Sequence, residues 1–186
     1  PGNSGGALVD SQGNLVGIGA PADAWVPSTV SSTYSGPAAG RIYWFPLILA
    51  TARTAKALGV RAQTNFASGK SGRFGLYDAD PATLMPANRL ADSGNILLDS
   101  GAPTGKTASI TTVALAALTL YWIASMYEDN TGTVPVAVPG AAFGGSASAT
   151  SSTGGRFYTT QTYGALPSTI SAWTWEGSSP FVGRVQ

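Results

Sequence analysis

The sequence predicts an all-β protein, a jelly-roll-like antiparallel β-sandwich preceded by an extended N-terminal arm. Two observations predict this class. From residue 40 onwards, short runs of β-branched and aromatic residues recur at the spacing of a sandwich or barrel, and turn-forming residues separate them, with 24 Gly and 12 Pro in the chain. A length of 186 residues suits one sizeable domain. We therefore assign residues 1–39 to an arm and linker, and residues 40–186 to the sandwich domain.

The arm contains one strand-like feature. Residues 7–10 and 15–18 are short apolar runs on either side of a Gly13-Asn14 turn, which predicts a β-hairpin. Residues 21–39 hold three prolines among Ser, Thr and Gly, a composition typical of linkers. An isolated hairpin is marginally stable in water, so we expect it to dock on its own domain, a sister chain or a larger assembly. The candidate anchoring residues are Leu8, Val9, Leu15, Val16, Ile18 and Trp25.

The sandwich domain is expected to contain ten strands. The first is aromatic and closed by Pro46, the sixth is the strongest core strand, and Pro135 demotes the seventh to a sheet edge. In chain order the predicted strands are residues 41–45, 54–63, 73–77, 95–99, 106–113, 118–124, 133–138, 156–162, 170–175 and 181–185.

Several stretches between these strands carry other signals. A loop that contains Pro81 and Pro86 leads to the fourth strand, and the Gly/Ala/Ser-rich residues 140–155 form a loop of a length that is usually functional or mobile. Residues 47–58, 81–90 and 113–117 also fit helices. Only residues 47–58 have the length and a stop signal, Gly59. One short helix would leave the all-β class unchanged.

Composition excludes some function classes. The formal charge of +1 is scattered without runs, so no footprint for a nucleic acid or an anionic membrane is visible. Without cysteine there is neither a disulfide framework nor a thiolate metal site. The longest apolar stretch, residues 113–124, is shorter than the roughly 20 residues of a membrane-spanning helix. Charged residues make up only 10%, which fits either a surface that faces other chains or one solubilised by hydroxyls and amides.

The string Gly2-Asn3-Ser4-Gly5-Gly6 resembles the nucleophile loop of trypsin-type serine proteases. A serine hydroxyl becomes a good nucleophile only when a base takes its proton, and the sequence contains no histidine. A lysine could replace the histidine, but the trypsin-like fold places the partner residues upstream of the serine, and a longer polyprotein would be needed to supply them. We therefore predict no catalytic residue and keep a trypsin-like protease fragment as the third alternative.

The carboxylates offer no metal site. Asp78, Asp80, Asp92 and Asp99 lack the alternating oxygen ligands and closing Glu of a calcium loop, and turn caps are the expected role. Residues 128–130 are likewise expected to form a hairpin turn with residues 131–132. The paired glycines at 144–145 and 154–155 do not join a strand to a helix with a lysine, so they are not phosphate loops. No metal or cofactor is predicted.

Four aromatic residues near loops need an interpretation. Trp173 and Trp175 share one face of a strand at period two, which predicts a buried sandwich face. Tyr158 and Tyr163 are expected in the core or in an interface as well. The alternative is that these rings stack on sugars, which would make the protein a glycan binder.

Six motifs recur in a familiar order. They are RIYWFP (41–46), RFGLYD (73–78), ILLDSG (96–101), LYWIA (120–124), YGALP (163–167) and FVGRV (181–185). Their succession resembles a β-sandwich domain of tailed-bacteriophage virion proteins, in which a strand ending in RLGIYD precedes LLDSG and a later GLYWLA. The resemblance covers about four fifths of the chain and leaves the N-terminal arm outside.

The resemblance implies a non-enzymatic virion component. Small size and a single domain favour a capsid decoration or cement protein, which would bind the major capsid protein or other virion proteins and form a homo-oligomer, a trimer by analogy. A tail or head fibre that recognises a host surface glycan is the alternative, although no long repetitive shaft is present. Residues 1–39 would anchor the domain to the assembly.

Overall fold

The computed structural model describes residues 7–9, 15–18, 30–137, 156–176 and 184–185, and their regular secondary structure is entirely β. Within these residues no helix is long and apolar enough to cross a membrane. The strands are β1 (Ala7–Val9), β2 (Leu15–Ile18), β3 (Val30–Ser35), β4 (Arg41–Ile48), β5 (Arg53–Ala62), β6 (Ser71–Ala79), β7 (Pro86–Leu97), β8 (Thr104–Leu115), β9 (Leu120–Tyr127), β10 (Val134–Ala137), β11 (Arg156–Thr160), β12 (Thr174–Glu176) and β13 (Arg184–Val185).

Two antiparallel sheets pack face to face and form the sandwich. The large sheet has six strands in the order β12-β11-β4-β9-β6-β7, and the small sheet has three in the order β13-β5-β8. The pairs β1–β2 and β3–β10 form separate two-stranded sheets. The prediction of an all-β antiparallel sandwich is confirmed.

The central strands pair in a nested order. β4 pairs with β9, β5 with β8 and β6 with β7, as in one long hairpin folded on itself. Ile48 pairs with Leu120 in the large sheet, and Arg53 pairs with Leu115 in the small sheet. Both sides of this hairpin ribbon therefore pass from one sheet to the other at adjacent corners, residues 49–52 and 116–119. A jelly roll has eight strands in two sheets, so the jelly-roll assignment stays a prediction.

Alternation along the central strands buries both faces of the large sheet. In β4, Tyr43, Phe45 and Leu47 face the small sheet, whereas Ile42 and Trp44 belong to a second cluster on the opposite face. Each fully buried aliphatic or aromatic side chain contributes about 1.5–3 kcal/mol relative to exposure. The second cluster consists of Ile42, Trp44, Tyr77, Trp122, Ala124, Met126 and Leu166.

The small sheet is buried on one face only. Leu58 and Val60 of β5 point into the core, while Thr107 and Ser109 of β8 are exposed on the other side. The inward face of β5, which the sequence left undefined, is the one that carries these two residues with Ala55 and Ala62.

Three sequence predictions are wrong around the sandwich corners. Residues 47–58 form the end of β4, a corner and the start of β5 rather than a helix, because strand pairing overrides the helix propensity of Ala and Leu. Pro46 does not close β4, since β11 pairs only with residues 41–44 and leaves β4 with one neighbour at the proline. Residues 81–90 are not helical, and residues 86–97 form β7 instead of a loop.

The arm hairpin and the edge position of the seventh predicted strand are confirmed, but the predicted linker is wrong over residues 30–35, which form β3 because they pair with β10. β1 and β2 pair antiparallel, which confirms the hairpin. β10 pairs with β3 alone in a two-stranded sheet, which confirms its edge position. Residues 128–132 form a turn, but they join β9 to β10, which do not pair with each other. Residues 140–155 lie outside the described part of the chain.

Candidate interaction surfaces

Residues 161–173, here called the crossing segment, cover the outer face of the large sheet. The segment leaves β11, where the Gln161 amide donates to the Gly40 carbonyl at 3.0 Å. It reaches β7 four strands away, about 19 Å at the usual strand spacing, where the Arg89 amide donates to Ser168 at 2.8 Å. It then returns to β12 beside β11. The segment thus closes the second hydrophobic cluster, to which it contributes Leu166.

Charged side chains fasten this segment to the sheet. Asp92 accepts hydrogen bonds from Arg73 Nε at 2.8 Å and Nη2 at 2.9 Å, and it forms an ion pair with Arg89 Nη1 at 3.1 Å. The hydrogen bond to Asp92 raises the pKa of Arg73. Arg89 also donates to the Leu166 carbonyl. Asp92, considered above as a metal ligand, is therefore held as the counterion of two arginines.

The other carboxylates cap turns as expected. Asp80 Oδ1 accepts the amides of Ala82 and Thr83, both at 2.8 Å, and these hydrogen bonds hold the pKa of Asp80 below its usual value. Asp99 accepts the Gly69 amide at 2.9 Å, and Asp129 accepts the Thr131 hydroxyl at 2.9 Å. Asp78 accepts the amide of Asn88 at 2.6 Å, which ties the ends of β6 and β7 together. The described residues contain no group of three or more His, Cys, Asp or Glu that could hold a metal ion.

An aromatic strip runs across the outer face and ends at the surface. Trp122 packs edge-on against Phe157 at 6.2 Å between ring centroids, and Phe157 packs edge-on against Trp173 at 5.4 Å. Trp173 is 46% exposed, so the prediction that it lies in a buried face is wrong. It precedes β12 at the sheet edge, where no further described strand covers it. The side chain of Trp175 lies outside the described residues.

The two tyrosines considered with Trp173 are half-buried. Arg41 lies over the Tyr158 ring at 4.1 Å, an arrangement that favours a cation–π interaction. The Tyr163 hydroxyl donates to Asn95 Oδ1 at 3.2 Å, and burial raises its pKa to about 12. Both rings are thus engaged with the domain, and Trp173 is the ring of this group that is available for stacking.

Two exposed leucines have left-handed backbones. Leu84, in the β6–β7 loop, has φ 61° and is 58% exposed, and Leu118, in the corner before β9, has φ 54° and is 80% exposed. Asp78 pairs with Tyr121, so both loops lie at the same end of the large sheet, which we call the leucine end. Trp122 Nε1 donates to the Leu84 carbonyl at 2.9 Å and fixes this loop on the sheet.

No sequence pattern indicated the leucine end. A non-glycine residue with positive φ costs roughly 1 kcal/mol or more, and an exposed apolar side chain adds nothing to the core. The Leu84 loop closes as one helical turn, with its amide donating to the Asp80 carbonyl at 2.7 Å, a position that usually takes glycine. Such strain at the surface points to a role outside the fold, because folding alone would favour glycine or asparagine at both positions.

The predicted anchoring residues fall mostly in the arm hairpin. Leu8 and Val9 lie in β1, and Leu15, Val16 and Ile18 lie in β2. Trp25 and Ser4, with the protease-like string, lie outside the described residues. The structure therefore brings five of the six anchoring residues together in one two-stranded sheet, and their anchoring role stays a prediction.

Comparison with known proteins identifies no relative. No protein-family model matches the chain, and no curated protein or solved structure matches it.

Proposed function

We propose that the chain is a non-enzymatic structural protein of a tailed-bacteriophage virion, a decoration or cement protein that binds the capsid shell and stabilises it. The resemblance of residues 40–186 to virion β-sandwich domains supports this proposal. A rigid antiparallel sandwich with a separate hairpin arm suits a protein that functions by binding a large area of a partner's surface. The partner would be the major capsid protein or another virion protein.

The leucine end is the observation that carries the proposal. Leu84 and Leu118 stand exposed on neighbouring loops, and both retain an unfavourable backbone conformation. Apolar side chains on a rigid sheet end bind an apolar partner surface with little loss of conformational entropy, because the loops are already ordered. In this proposal the leucine end is the contact with the shell, and residues 1–39 strengthen the attachment.

A double substitution of both leucines by asparagine tests the shell contact. Asparagine tolerates the left-handed conformation and removes the apolar group, so the free energy of unfolding should stay within about 1 kcal/mol of wild type. Co-sedimentation with purified virions that lack the protein should show shell affinity reduced by about tenfold or more, equivalent to roughly 1.4 kcal/mol.

The control variant is Leu97→Asn. Leu97 is 50% exposed in β7 and pairs with Ser71, at the opposite end of the large sheet. The Leu97→Asn variant should bind virions as the wild type does. Wild-type binding by the double variant, or an equal loss with Leu97→Asn, would remove the leucine end from the proposal.

A second candidate function is supported by Trp173. An exposed indole braced by Phe157 from the edge is a platform on which a sugar ring can stack. The backbone before it is held to β11, because the Thr159 hydroxyl donates to the Ala172 carbonyl at 2.9 Å and also accepts from Trp44 Nε1 at 3.0 Å. This arrangement favours a fibre or receptor-binding protein that recognises a host surface glycan.

A further inference from the structure

Residues 104–109 of β8 form a free sheet edge. β8 is the last strand of the order β13-β5-β8, and no strand of the described residues pairs with its other side. The register is regular from Ala62↔Thr104 to Ala57↔Ser109 and then shifts, which leaves six regular residues. These residues contain no proline and one charge, Lys106. Natural proteins protect edges with prolines, charges or bulges, so this stretch is an unusually open template for strand addition.

The small sheet around this edge is basic. β5 carries Arg53, Lys56 and Arg61, β8 carries Lys106, and neither strand has an acidic residue. The three residues of β5 are exposed. Among the ion pairs of the described residues, none involves any of the four. Two β8 edges from different copies would bring like charges together, whereas an acidic strand would be attracted.

The arm hairpin complements this edge in strand pairing and in charge. β1 and β2 have three and four residues and, within the described part of the chain, pair only with each other. A two-stranded hairpin of this size needs a larger sheet for stability. Residues 1–39 contain Asp10 and Asp23 and no lysine or arginine, so the arm is acidic where the edge is basic.

We propose that the β1–β2 hairpin of one copy adds to residues 104–109 of β8 in a second copy and extends its small sheet. The hairpin would gain backbone partners, and the basic edge would gain acidic neighbours. Such a head-to-tail contact joins different surfaces of the two copies, and it builds a closed ring where the rotation between copies closes and an open filament where it does not. The proposal does not depend on the leucine end.

Self-association of full-length variants tests this contact. Val16→Pro removes a backbone donor from β2 and should convert the oligomer to monomer in sedimentation velocity experiments. Ala24→Pro, in the predicted linker, is the matched control and should associate like wild type. Hydrogen exchange should show protection of residues 104–109 in the wild-type oligomer that is lost in Val16→Pro.

The charge contribution is tested separately. Lys56→Gln with Arg61→Gln should weaken self-association by about tenfold, since each exposed pair contributes a few-fold. Thr162→Glu with Ser171→Glu makes the same net-charge change on the crossing segment and should have no effect.

Two results would overturn the proposal. A wild-type chain that is monomeric at every concentration, with residues 104–109 protected, would show that the hairpin docks on its own chain. An oligomer that survives Val16→Pro with unchanged exchange would show that another surface joins the copies. Virion binding is measured in the same samples, so a wild-type oligomer that does not bind virions would count against the proposed function and leave this contact intact.

Discussion

Three exposed residues contribute little to the stability of the fold at the positions they occupy, namely Leu84, Leu118 and Trp173. The leucines lie in a left-handed conformation that glycine adopts without cost, and the indole lies outside the hydrophobic clusters. Sequence reasoning named Trp173 as a candidate sugar-stacking ring but could not find the two leucines, because neither backbone angle nor exposure is visible in a local pattern. The aspartates were easier to interpret, since Asp80 before Pro81 has a strong local preference for turns.

Substitution of Trp173 distinguishes the two candidate functions at the residue scale. If the exposed indole is a stacking platform, the wild-type chain should bind specific glycans saturably on an array, and Trp173→Ala should lose that binding by about tenfold or more, because one stacked aromatic contributes on the order of 1–3 kcal/mol.

The control is Tyr158→Phe, which keeps a half-buried ring. Trp44→Phe is unsuitable because Trp44 is buried. Tyr158→Phe should bind like wild type. The absence of saturable binding to any glycan would count against the fibre alternative.

At the scale of elements, the sequence predicted which segments form the strands of the large sheet more accurately than it predicted where those strands begin and end. β4, β6 and β9 are dense in aromatic and β-branched residues, and their alternation survives because both faces are buried. β7 was missed over residues 86–94, where Pro, Asn, Asp and Gly suggest a loop, because pairing with β6 holds this irregular strand through several register shifts. Non-local pairing of this kind leaves no local signature.

The close approach of β5 and β8 leads to a prediction about stability at this scale. A Cβ on Gly59 would lie 1.9 Å from the Lys106 carbonyl oxygen, a backbone atom that cannot rotate away. Gly59→Ala should therefore lower the free energy of unfolding by about 3 kcal/mol in urea denaturation.

Gly164→Ala is the control, because its nearest contact is the Thr162 carbonyl oxygen at 3.9 Å, and its stability should change little. Equal stability of the two variants would mean that the β5–β8 pairing in solution is looser than described, which would also weaken the case for a strand-binding edge at β8.

For the whole molecule, the sandwich separates its surfaces by role. The crossing segment covers one face of the large sheet and the small sheet covers the other, and the leucine end and the β8 edge are the surfaces that we propose for partners. The fold class could be predicted from the spacing of strands and turn residues over the whole chain. Because this prediction depends on many segments together, an error in one strand does not change the predicted class. The surfaces depend on loop conformation and on which strand is last in a sheet, and these are set by tertiary packing.

Cryo-electron microscopy of phage particles assembled in the presence of this chain tests the central claim, our proposal that the chain is a shell-binding structural protein. We expect density for the β-sandwich at symmetry-related positions on the outside of the capsid, with the loops of Leu84 and Leu118 facing the shell. A capsid without such density, or density for the sandwich confined to the tail, would contradict it.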